Sequence, residues 1–315
     1  MSKKIIAIVG ATGAQGGALA RSLLADPKGE FAVRALTRKP DGDAAKALAA
    51  LGAEVVAADT DDPASLRKAF DGAYGAFCLT NFWEHFSVEK EMAQARNMAE
   101  AAHVEGVQHV IWSTLEDTRK LVPLSDDRMP TLHGHYKVPH FDSKGASDHF
   151  FTDLGLPVTL LQTSFYWENF IAFGMGPQKG PDGNYAITFP MGDKKLPGIA
   201  VADIGVCAHG IFTAGQSYIG KTVAIAGDHT TGAQMAAVFS QGLGVAVGYN
   251  DVPPTVYRSF GFPGADDLGN MFQYKRDFET EFCGARDLAQ SRALNPGLQT
   301  FAQWLAANGS RIPLA

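Results

Sequence analysis

Short apolar segments alternate with segments of helical period over about the first 160 residues. The apolar runs are IIAIVG, FAVRALTR, AEVVAAD, GAFCLTN, HVIWST and PVTLLQTS, and stretches such as PASLRKAF and VEKEMAQARNMAEAAHVEG lie between them. Runs that are apolar throughout, without alternation, are typical of strands buried on both faces of a parallel sheet. The pattern therefore predicts an α/β fold, a doubly wound parallel sheet covered by helices.

Beyond about residue 165 the pattern is less regular. TVAIAG predicts one more core strand, whereas TTGAQMAAVFSQGL, the segment around DDLGNMFQYKRDF and the terminal LQTFAQWLAANG predict helices. We therefore expect a nucleotide-binding domain and a second, smaller α+β domain. The expected bounds are 1–165, with a returning segment at about 199–228, for the first domain, and 166–198 with 229–315 for the second.

A polar segment at residues 116–139 separates the fifth strand from the next predicted helix. Connections of this length are usually functional or mobile. Within the segment, His133 and His135 have the spacing of half a metal site, but no carboxylate or cysteine at a useful spacing completes it, so we predict no metal. Tyr136 is interpreted as a substrate-pocket or lid residue.

Composition and charge argue against several classes of partner. The chain has 315 residues with 27 Lys+Arg and 33 Asp+Glu, a formal charge of −6, and no basic block, so we expect no nucleic acid. Its 3 cysteines have no paired spacing, which fits a reducing compartment. An export signal and a long apolar run are both missing from the pattern, and we expect a cytoplasmic protein that has no membrane span.

The strongest chemical signal is the glycine-rich turn after the first strand. Gly10 permits the tight turn, Gly13 lets the backbone approach a pyrophosphate, and Gly16 lets helix and strand pack closely. The free N–H groups and the positive end of the following helix would then face the phosphates. The turn predicts a dinucleotide site whose contacts include Gly10, Thr12, Gly13, Ala14, Gln15 and Gly16.

The residues after the second strand indicate which dinucleotide. A carboxylate at this point would accept a hydrogen bond from the ribose 2′-hydroxyl of NAD(H), but the chain has Arg38 and Lys39. An arginine can bind a 2′-phosphate by charge-assisted, often bidentate hydrogen bonds. NADP(H) is therefore favoured over NAD(H), although the two residues could also form a solvated basic turn.

The ends of the next strands supply further candidate contacts. GAEVVAADTDD places Asp59 and Thr60 where the adenine should lie. GAFCLTNFW places Thr80, Asn81 and Phe82 at the carboxyl end of the fourth strand. Ligands of open α/β sheets bind in the crevice at these strand ends, so we expect these residues to contact the cofactor.

FYWENF follows the sixth strand directly. Phe165 and Tyr166 could form a wall beside the nicotinamide or the hydrophobic hinge between the two domains. Glu168 is expected to begin a helix and to have a structural role. In IAVADIG, Asp203 is predicted to cap the next helix.

Together these motifs resemble the NmrA-like proteins, atypical members of the short-chain dehydrogenase/reductase superfamily, and above all their NADPH-sensing redox-sensor branch. The resemblance extends from Lys3 to the terminal QWL helix and rests on GATGAQGG, the TR after the second strand, GAEVVAADTDD, LTNFWE, HFDSKG, FYWENF, IAVADIG and GFPGADDLGNMF. It implies a Rossmann domain with a small C-terminal domain, a preference for NADP(H), and often no turnover. Isoflavone-reductase-like and quinone-reductase-like relatives do reduce substrates.

The same resemblance identifies which residues of this chain stand at the catalytic positions of a short-chain dehydrogenase. In a short-chain dehydrogenase a tyrosine donates the proton, a lysine four residues on binds the nicotinamide ribose, and a serine at the end of the fifth strand orients the carbonyl. Ser113 and Lys144 match the serine and the lysine, but His140 stands at the tyrosine position, on the same helical face as Lys144. A helix that begins at Pro139 would disfavour imidazolium at His140, so we expect a poor proton donor.

Two functions from different classes remain open. The first is an NADP(H)-binding oxidoreductase-like regulator, a redox sensor in which residues 116–139 and the small domain switch with cofactor occupancy, with a protein partner or a homodimer as readout. The second is a reductase that passes hydride from NADPH to a small conjugated carbonyl or quinone, with the proton taken from water, Ser113 or His140. The missing tyrosine favours the regulator.

Overall fold

The structure is a computed structural model that describes residues 2–26 and 28–314, and it falls into two compact units. Unit 1 consists of Met1–Asp117, His140–Thr163 and Ile204–Val223. Unit 2 consists of Thr118–Pro139, Ser164–Asp203 and Ala224–Ala315. The polar segment 118–139 thus groups with unit 2, and the chain returns to unit 1 twice, at His140 and at Ile204.

Strands and helices alternate strictly through the first six strands, as the sequence pattern predicts. The strands are β1 (Lys4–Ile8), β2 (Phe31–Thr37), β3 (Glu54–Ala57), β4 (Gly75–Cys78), β5 (His109–Thr114), β6 (Val158–Gln162), β7 (Phe165–Tyr166), β8 (Gln178–Lys179), β9 (Tyr185–Phe189), β10 (Lys195–Ile199), β11 (Thr222–Ala224), β12 (Asp228–Thr231) and β13 (Val247–Asp251). The α-helices are α1 (Ala14–Leu24), α2 (Asp43–Ala50), α3 (Pro63–Phe70), α4 (Val88–Val104), α5 (Pro139–Thr152), α6 (Asn169–Ala172), α7 (Val201–Ala214), α8 (Gly232–Leu243), α9 (Pro254–Arg258), α10 (Ala265–Asp277), α11 (Glu279–Ala285), α12 (Leu288–Leu294) and α13 (Phe301–Asn308). Short 3₁₀ helices lie at Phe82–Glu84, Thr118–Lys120, Gly215–Ser217 and Gly309–Arg311. Across the described ranges, none of the helices has the length and apolar character needed to cross a bilayer.

Unit 1 is built on a seven-stranded sheet with the order β11-β6-β5-β4-β1-β2-β3. β1 pairs in parallel with both β2 and β4, and the pairs β2–β3, β4–β5 and β5–β6 are also parallel. The chain leaves β1 toward one side of the sheet and later crosses to the other side at β4. This reversal opens a crevice at the carboxyl ends of β1 and β4. The predicted doubly wound α/β fold is confirmed.

Burial explains why the strand segments are apolar throughout. Every residue of β4 and β5 is buried, whereas β3 at the sheet edge has exposed ends. Helices cover both faces of the central strands, so side chains of either orientation enter the core. Trp112 on β5 stacks on Phe151 of α5 with ring centroids 4.9 Å apart.

Unit 2 has an α+β architecture, as predicted. It contains two three-stranded sheets, β12-β10-β7 and β13-β9-β8, with helices α8 to α13. Its core is strongly aromatic: Phe170 lies between Phe165, Phe239 and Phe301, with ring centroids 5.4, 5.0 and 5.6 Å away. TVAIAG supplies β11, the edge strand of the seven-stranded sheet.

Residues 118–139 are anchored to helix α10 by hydrogen bonds. Asn270 Nδ2 donates to the carbonyl oxygens of Pro130 and Lys137 at 3.0 and 2.5 Å. Gln273 Nε2 donates to Arg128 O at 2.7 Å. Side-chain amides thus satisfy backbone carbonyls that a loop of this length would otherwise turn toward water. The segment packs as part of unit 2.

The prediction that Asp203 caps the helix after IAVADIG is wrong. Glu168 has that role, because its Oε2 accepts a hydrogen bond at 2.9 Å from the N–H of Val201, the first residue of α7. Asp203 lies within the first turn of α7 and accepts from Asn295 Nδ2 and Gln299 N at 2.9 and 3.0 Å. Burial raises the pKa of both carboxyl groups, with the hydrogen bonds acting in the opposite direction.

A buried histidine in unit 1 is expected to lower stability in acid. His109 Nε2 lies 2.9 Å from Thr159 Oγ1, whose hydroxyl donates to Tyr218 O, so the ring nitrogen is the donor. Its other nitrogen, Nδ1, is buried and has no hydrogen-bond partner within residues 2–26 and 28–314. Burial lowers the pKa of His109 from 6.5 to about 4.

We expect the free energy of unfolding to fall by about 3 kcal/mol through His109 alone as the pH drops from about 6.5 to about 4, because the unfolded chain takes up the proton first. Chemical denaturation over this range, compared with the variant His109→Gln, measures the difference. Glutamine keeps a donor for Thr159 and does not titrate. If both proteins lose the same stability, His109 is not the acid-labile group.

Candidate cofactor site

The glycine-rich turn has the geometry that a phosphate site requires. Gly10 has a φ of +63°, which favours glycine, and its carbonyl accepts a hydrogen bond from Gly13 N at 2.9 Å. A Cβ at Gly16 would lie 2.5 Å from Gly10 O, so helix and turn are in close contact. Helix α1 begins at Ala14, and its N-cap is Gly13, which has no side chain to bond the first N–H groups. These groups remain available to an anion.

A cavity of about 430 Å³ lies at the carboxyl ends of β1, β2 and β4 in unit 1. Its apolar wall includes Leu36, Leu66 and Leu79. The predicted contact residues that line it are Gly10, Thr12, Arg38, Thr60, Thr80 and Asn81. The predicted contact residues of unit 1 that lie outside this lining are Gly13, Ala14, Gln15, Gly16, Asp59, Phe82 and Lys144.

Some of these predicted residues have internal hydrogen-bond partners. Asp59 Oδ1 accepts from Asp61 N at 3.0 Å, which closes a turn before α3. The cap of α3 itself is Asp62, whose Oδ1 accepts from Ala64 N at 3.0 Å. Asp59 therefore shapes the loop beside Thr60.

Arg38 and Lys39 both line the cavity, directly after β2. The guanidinium of Arg38 forms a two-pronged ion pair with Glu84, Nη1 to Oε1 at 2.5 Å and Nη2 to Oε2 at 3.1 Å. This hydrogen bonding lowers the pKa of Glu84 and raises that of Arg38. Glu84 was not among the contact residues predicted from the sequence, although the segment LTNFWE places it just beyond the fourth strand.

Lys144 is fixed by a buried polar network. Its Nζ lies 2.8 Å from Glu91 Oε1 and donates to Thr80 O and Thr80 Oγ1 at 2.9 and 2.7 Å. The threonine hydroxyl in turn donates to Glu91 Oε1 at 2.6 Å. Glu91 has no exposed surface. A signal for it existed in the sequence, since it shares the apolar face of α4 with Ala95 and Met98.

His85 extends this network on the far side of Glu91. Its Nδ1 accepts from Ser87 N at 3.1 Å, so Nε2 carries the proton in the neutral ring. Nε2 lies 3.6 Å from Glu91 Oε2. Both atoms are buried and have no hydrogen-bond partner in the part of the chain that the structure describes.

His140 is packed among aromatic rings. It lies in the first turn of α5, which begins at Pro139 as predicted, and it is 5% exposed. Its ring centroid is 4.7 Å from Trp83, 4.8 Å from Phe141 and 6.1 Å from Phe82. The imidazole at the tyrosine position is thus held by aromatic contacts.

Ser113 lies on β5, one residue before its end, and is buried. Its Oγ donates to Gln15 Oε1 at 2.8 Å, which links the predicted catalytic serine to the first turn of α1. Gln15 therefore sits between the glycine-rich turn and the serine position.

Phe165 and Tyr166 form β7 in unit 2. Phe165 is buried against Phe170 and Phe189, with centroids 5.4 and 5.8 Å away, and Tyr166 is half-buried and pairs with Ile199. Their contact with a nicotinamide stays a prediction.

Throughout residues 2–26 and 28–314, no cluster of three or more His, Cys, Asp or Glu residues has the geometry to hold a metal ion.

Comparison with known proteins identifies relatives along nearly the whole chain. The family model of the NmrA-like family matches residues 2–305. The NmrA-like family domain-containing oxidoreductase FrzB from Cladobotryum sp. is 32% identical over 293 residues, which cover 86% of this chain and 83% of that relative.

Two solved structures are similar in fold. NmrA, a negative transcriptional regulator in complex with NADP, aligns with a TM-score of 0.78 and 25% identity over 97% of this chain and 95% of that one. An NADPH-dependent quinone oxidoreductase from Escherichia coli aligns with a TM-score of 0.71 and 25% identity over 97% and 99% of the two chains. The resemblance stated from the sequence motifs is confirmed, and the chain belongs to the NmrA-like family.

Proposed function

We propose that this protein binds NADP(H) and acts as a redox sensor, a regulator whose interaction with a protein partner or a second copy depends on cofactor occupancy. The observation that carries the proposal is the environment of His140. A cavity lined by residues of the glycine-rich turn and by Arg38 and Lys39 would hold the dinucleotide, while the residue at the proton-donor position is buried among aromatic rings. Binding without efficient carbonyl reduction is the function that fits both features.

The pocket supports NADP(H) as the ligand. The uncapped start of α1 would take the pyrophosphate, and Arg38 with Lys39 would take the 2′-phosphate. Thr60 would lie near the adenine, and Thr80 and Asn81 near the central ribose and phosphates. NmrA, a relative with the same fold, binds NADP.

Three features argue against efficient ketone reduction. His140 replaces the phenol that would protonate the alkoxide, and its contacts with Trp83, Phe82 and Phe141 leave it little freedom to turn. The hydroxyl of Ser113 donates its hydrogen bond to Gln15 and is therefore not directed at a substrate carbonyl. General acid catalysis requires a group within hydrogen-bond reach of the reacting oxygen. Lys144 would still bind the nicotinamide ribose in this proposal, by exchanging one of the hydrogen bonds that its Nζ donates to Thr80 for one to the ribose.

The regulatory response would involve unit 2. Residues 118–139 and α10 form one hydrogen-bonded body, so a displacement of the segment would be passed on to the helix. Phe165 and Tyr166 lie near the start of the second segment of the same unit, Ser164–Asp203. We propose that unit 1 acts as the cofactor domain and unit 2 as the regulatory domain, the division of roles predicted from the sequence.

A second function deserves a test because the curated relative FrzB is named an oxidoreductase and a structural relative is an NADPH-dependent quinone oxidoreductase. Hydride transfer to a quinone gives a hydroquinone anion that takes its proton from water. Such a substrate needs no strong acid from the protein. The same pocket would then support reduction of a quinone or a conjugated carbonyl.

One experiment separates the two functions. NADPH and NADH are titrated for affinity, and the nicotinamide absorbance is then followed with a panel of quinones, enals and ketones. We expect NADPH to bind and no compound to be reduced faster than in the protein-free control. Steady turnover with any of them would show that the protein is a reductase, and failure to bind either dinucleotide would contradict both functions.

A further inference from the structure

The arginine that would bind a 2′-phosphate already forms an ion pair with a glutamate, through the guanidinium edge that the phosphate would use. Arg38 follows β2, Glu84 ends the 3₁₀ helix after β4, and both line the cavity. The two guanidinium nitrogens Nη1 and Nη2 donate to the two carboxylate oxygens at 2.5 and 3.1 Å. Arginine uses the same fork to hold a phosphate. A 2′-phosphate bound by this edge must therefore displace Glu84.

The charges at this end of the cavity are balanced. Its lining contains two basic side chains, Arg38 and Lys39, and two acidic ones, Glu84 and Asp43. Among the residues that the structure describes, the carboxylate paired with Arg38 is that of Glu84. The hydrogen bond from Arg38 lowers the pKa of Glu84, so the side chain is a carboxylate at neutral pH. It would repel a phosphate dianion brought to Arg38.

The same carboxylate is suited to a ribose without a phosphate. Sites that select NAD(H) place Asp or Glu so that it accepts from the 2′-hydroxyl, and that residue follows the second strand. This chain lacks an acid there, but Glu84 brings one into the same cavity from the loop after β4. A neutral hydroxyl can donate to Glu84 and leave its ion pair with Arg38 intact.

We propose that Glu84 is a specificity-determining residue that weakens the NADP(H) preference set by Arg38, so that the site also accepts NADH. This inference rests on the proposed function, because it requires a dinucleotide in this cavity. Glu84 acts in two ways: it competes with the 2′-phosphate for the guanidinium, and it accepts a hydrogen bond from the free 2′-hydroxyl. Through these two effects the affinity for NADH becomes similar to the affinity for NADPH.

The test is the ratio of NADPH to NADH affinity in the variants Glu84→Gln and Glu84→Ala. Exposed ion pairs of this kind are weak, so we expect NADPH affinity to rise about fivefold and NADH affinity to stay unchanged or fall. Alanine has neither a charge nor a donor, and it guards against a new hydrogen bond from glutamine. The ratio of affinities for 2′,5′-ADP and 5′-ADP measures the contribution of the 2′-phosphate alone, because neither compound contains a nicotinamide.

Two control variants keep the interpretation specific. Glu54→Gln removes a comparably exposed glutamate from an ion pair with Arg34 that lies outside the cavity lining, and should leave the ratio unchanged. Asp43→Asn removes a charge from the cavity but leaves the pair of Arg38 and Glu84 intact, and should change the ratio less than Glu84→Gln.

An unchanged ratio in both Glu84 variants would overturn the inference. A fall in NADPH affinity would also overturn it, because Glu84 would then be positioning Arg38 for the phosphate rather than competing with it. Failure of the proposed function has a different signature: the unmodified protein would bind neither NADPH nor NADH.

Discussion

Replacing Gly16 with alanine is expected to lower NADPH affinity by at least about tenfold and the free energy of unfolding by about 1–3 kcal/mol. A Cβ at this position would lie 2.5 Å from Gly10 O and 2.7 Å from both Gly10 C and Val9 O. All three are backbone atoms of the turn and cannot rotate away. Helix α1 must therefore move outward, and its first N–H groups move away from the phosphates that they would bind.

The matched control is Gly284→Ala in α11. There a Cβ meets none of the described atoms within 4 Å, so alanine should leave NADPH affinity unchanged and improve stability slightly. Denaturant unfolding and a fluorescence titration with NADPH measure both quantities in each variant. If Gly16→Ala bound NADPH as the unmodified protein does, the close approach at this turn would not serve the cofactor.

The turn at Gly10 and the close packing at Gly16 could be predicted for a physical reason. Both depend on backbone geometry within a few residues, which local sequence determines. The strands could be predicted for a similar reason, because fully buried strands such as β4 and β5 leave an apolar run that can be recognised without knowing their neighbours.

The polar partners in the site could not be predicted in the same way. Glu84 reaches Arg38 across 46 positions of sequence, and nothing in the spacing of either residue indicates the other. Glu91 was visible only as an acid on an apolar helical face, a pattern that predicts a buried partner without naming Lys144. Such pairs exist because the fold brings together the ends of different strands.

His140 shows the same contrast between what local sequence predicts and what depends on distant segments of the chain. The HxxxK spacing predicts that His140 and Lys144 share one face of α5, and the helix begins at Pro139 as expected. The spacing gives no information about Trp83 and Phe82, which follow another strand and surround the imidazole. The helix could therefore be predicted, but the environment that argues against proton donation could not.

Replacing Lys144 with methionine is expected to weaken NADPH binding and to cost about 3–5 kcal/mol of unfolding free energy. The loss of affinity follows from the proposed contact with the nicotinamide ribose. The loss of stability follows from Glu91, which is fully buried and would be left with only the Thr80 hydroxyl at hydrogen-bond distance. A buried carboxylate without its cation is far less stable than the pair.

A double variant separates the two effects. In Lys144→Met with Glu91→Leu, both charges are replaced by apolar side chains of similar size, so stability should return to within about 1–2 kcal/mol of the unmodified protein. NADPH affinity should stay low, because the cation is still missing. Thermal and denaturant unfolding report the first quantity, and calorimetric titration with NADPH reports the second. If the double variant regained both, Lys144 would serve only to neutralise Glu91, and the proposed contact with the cofactor would be wrong.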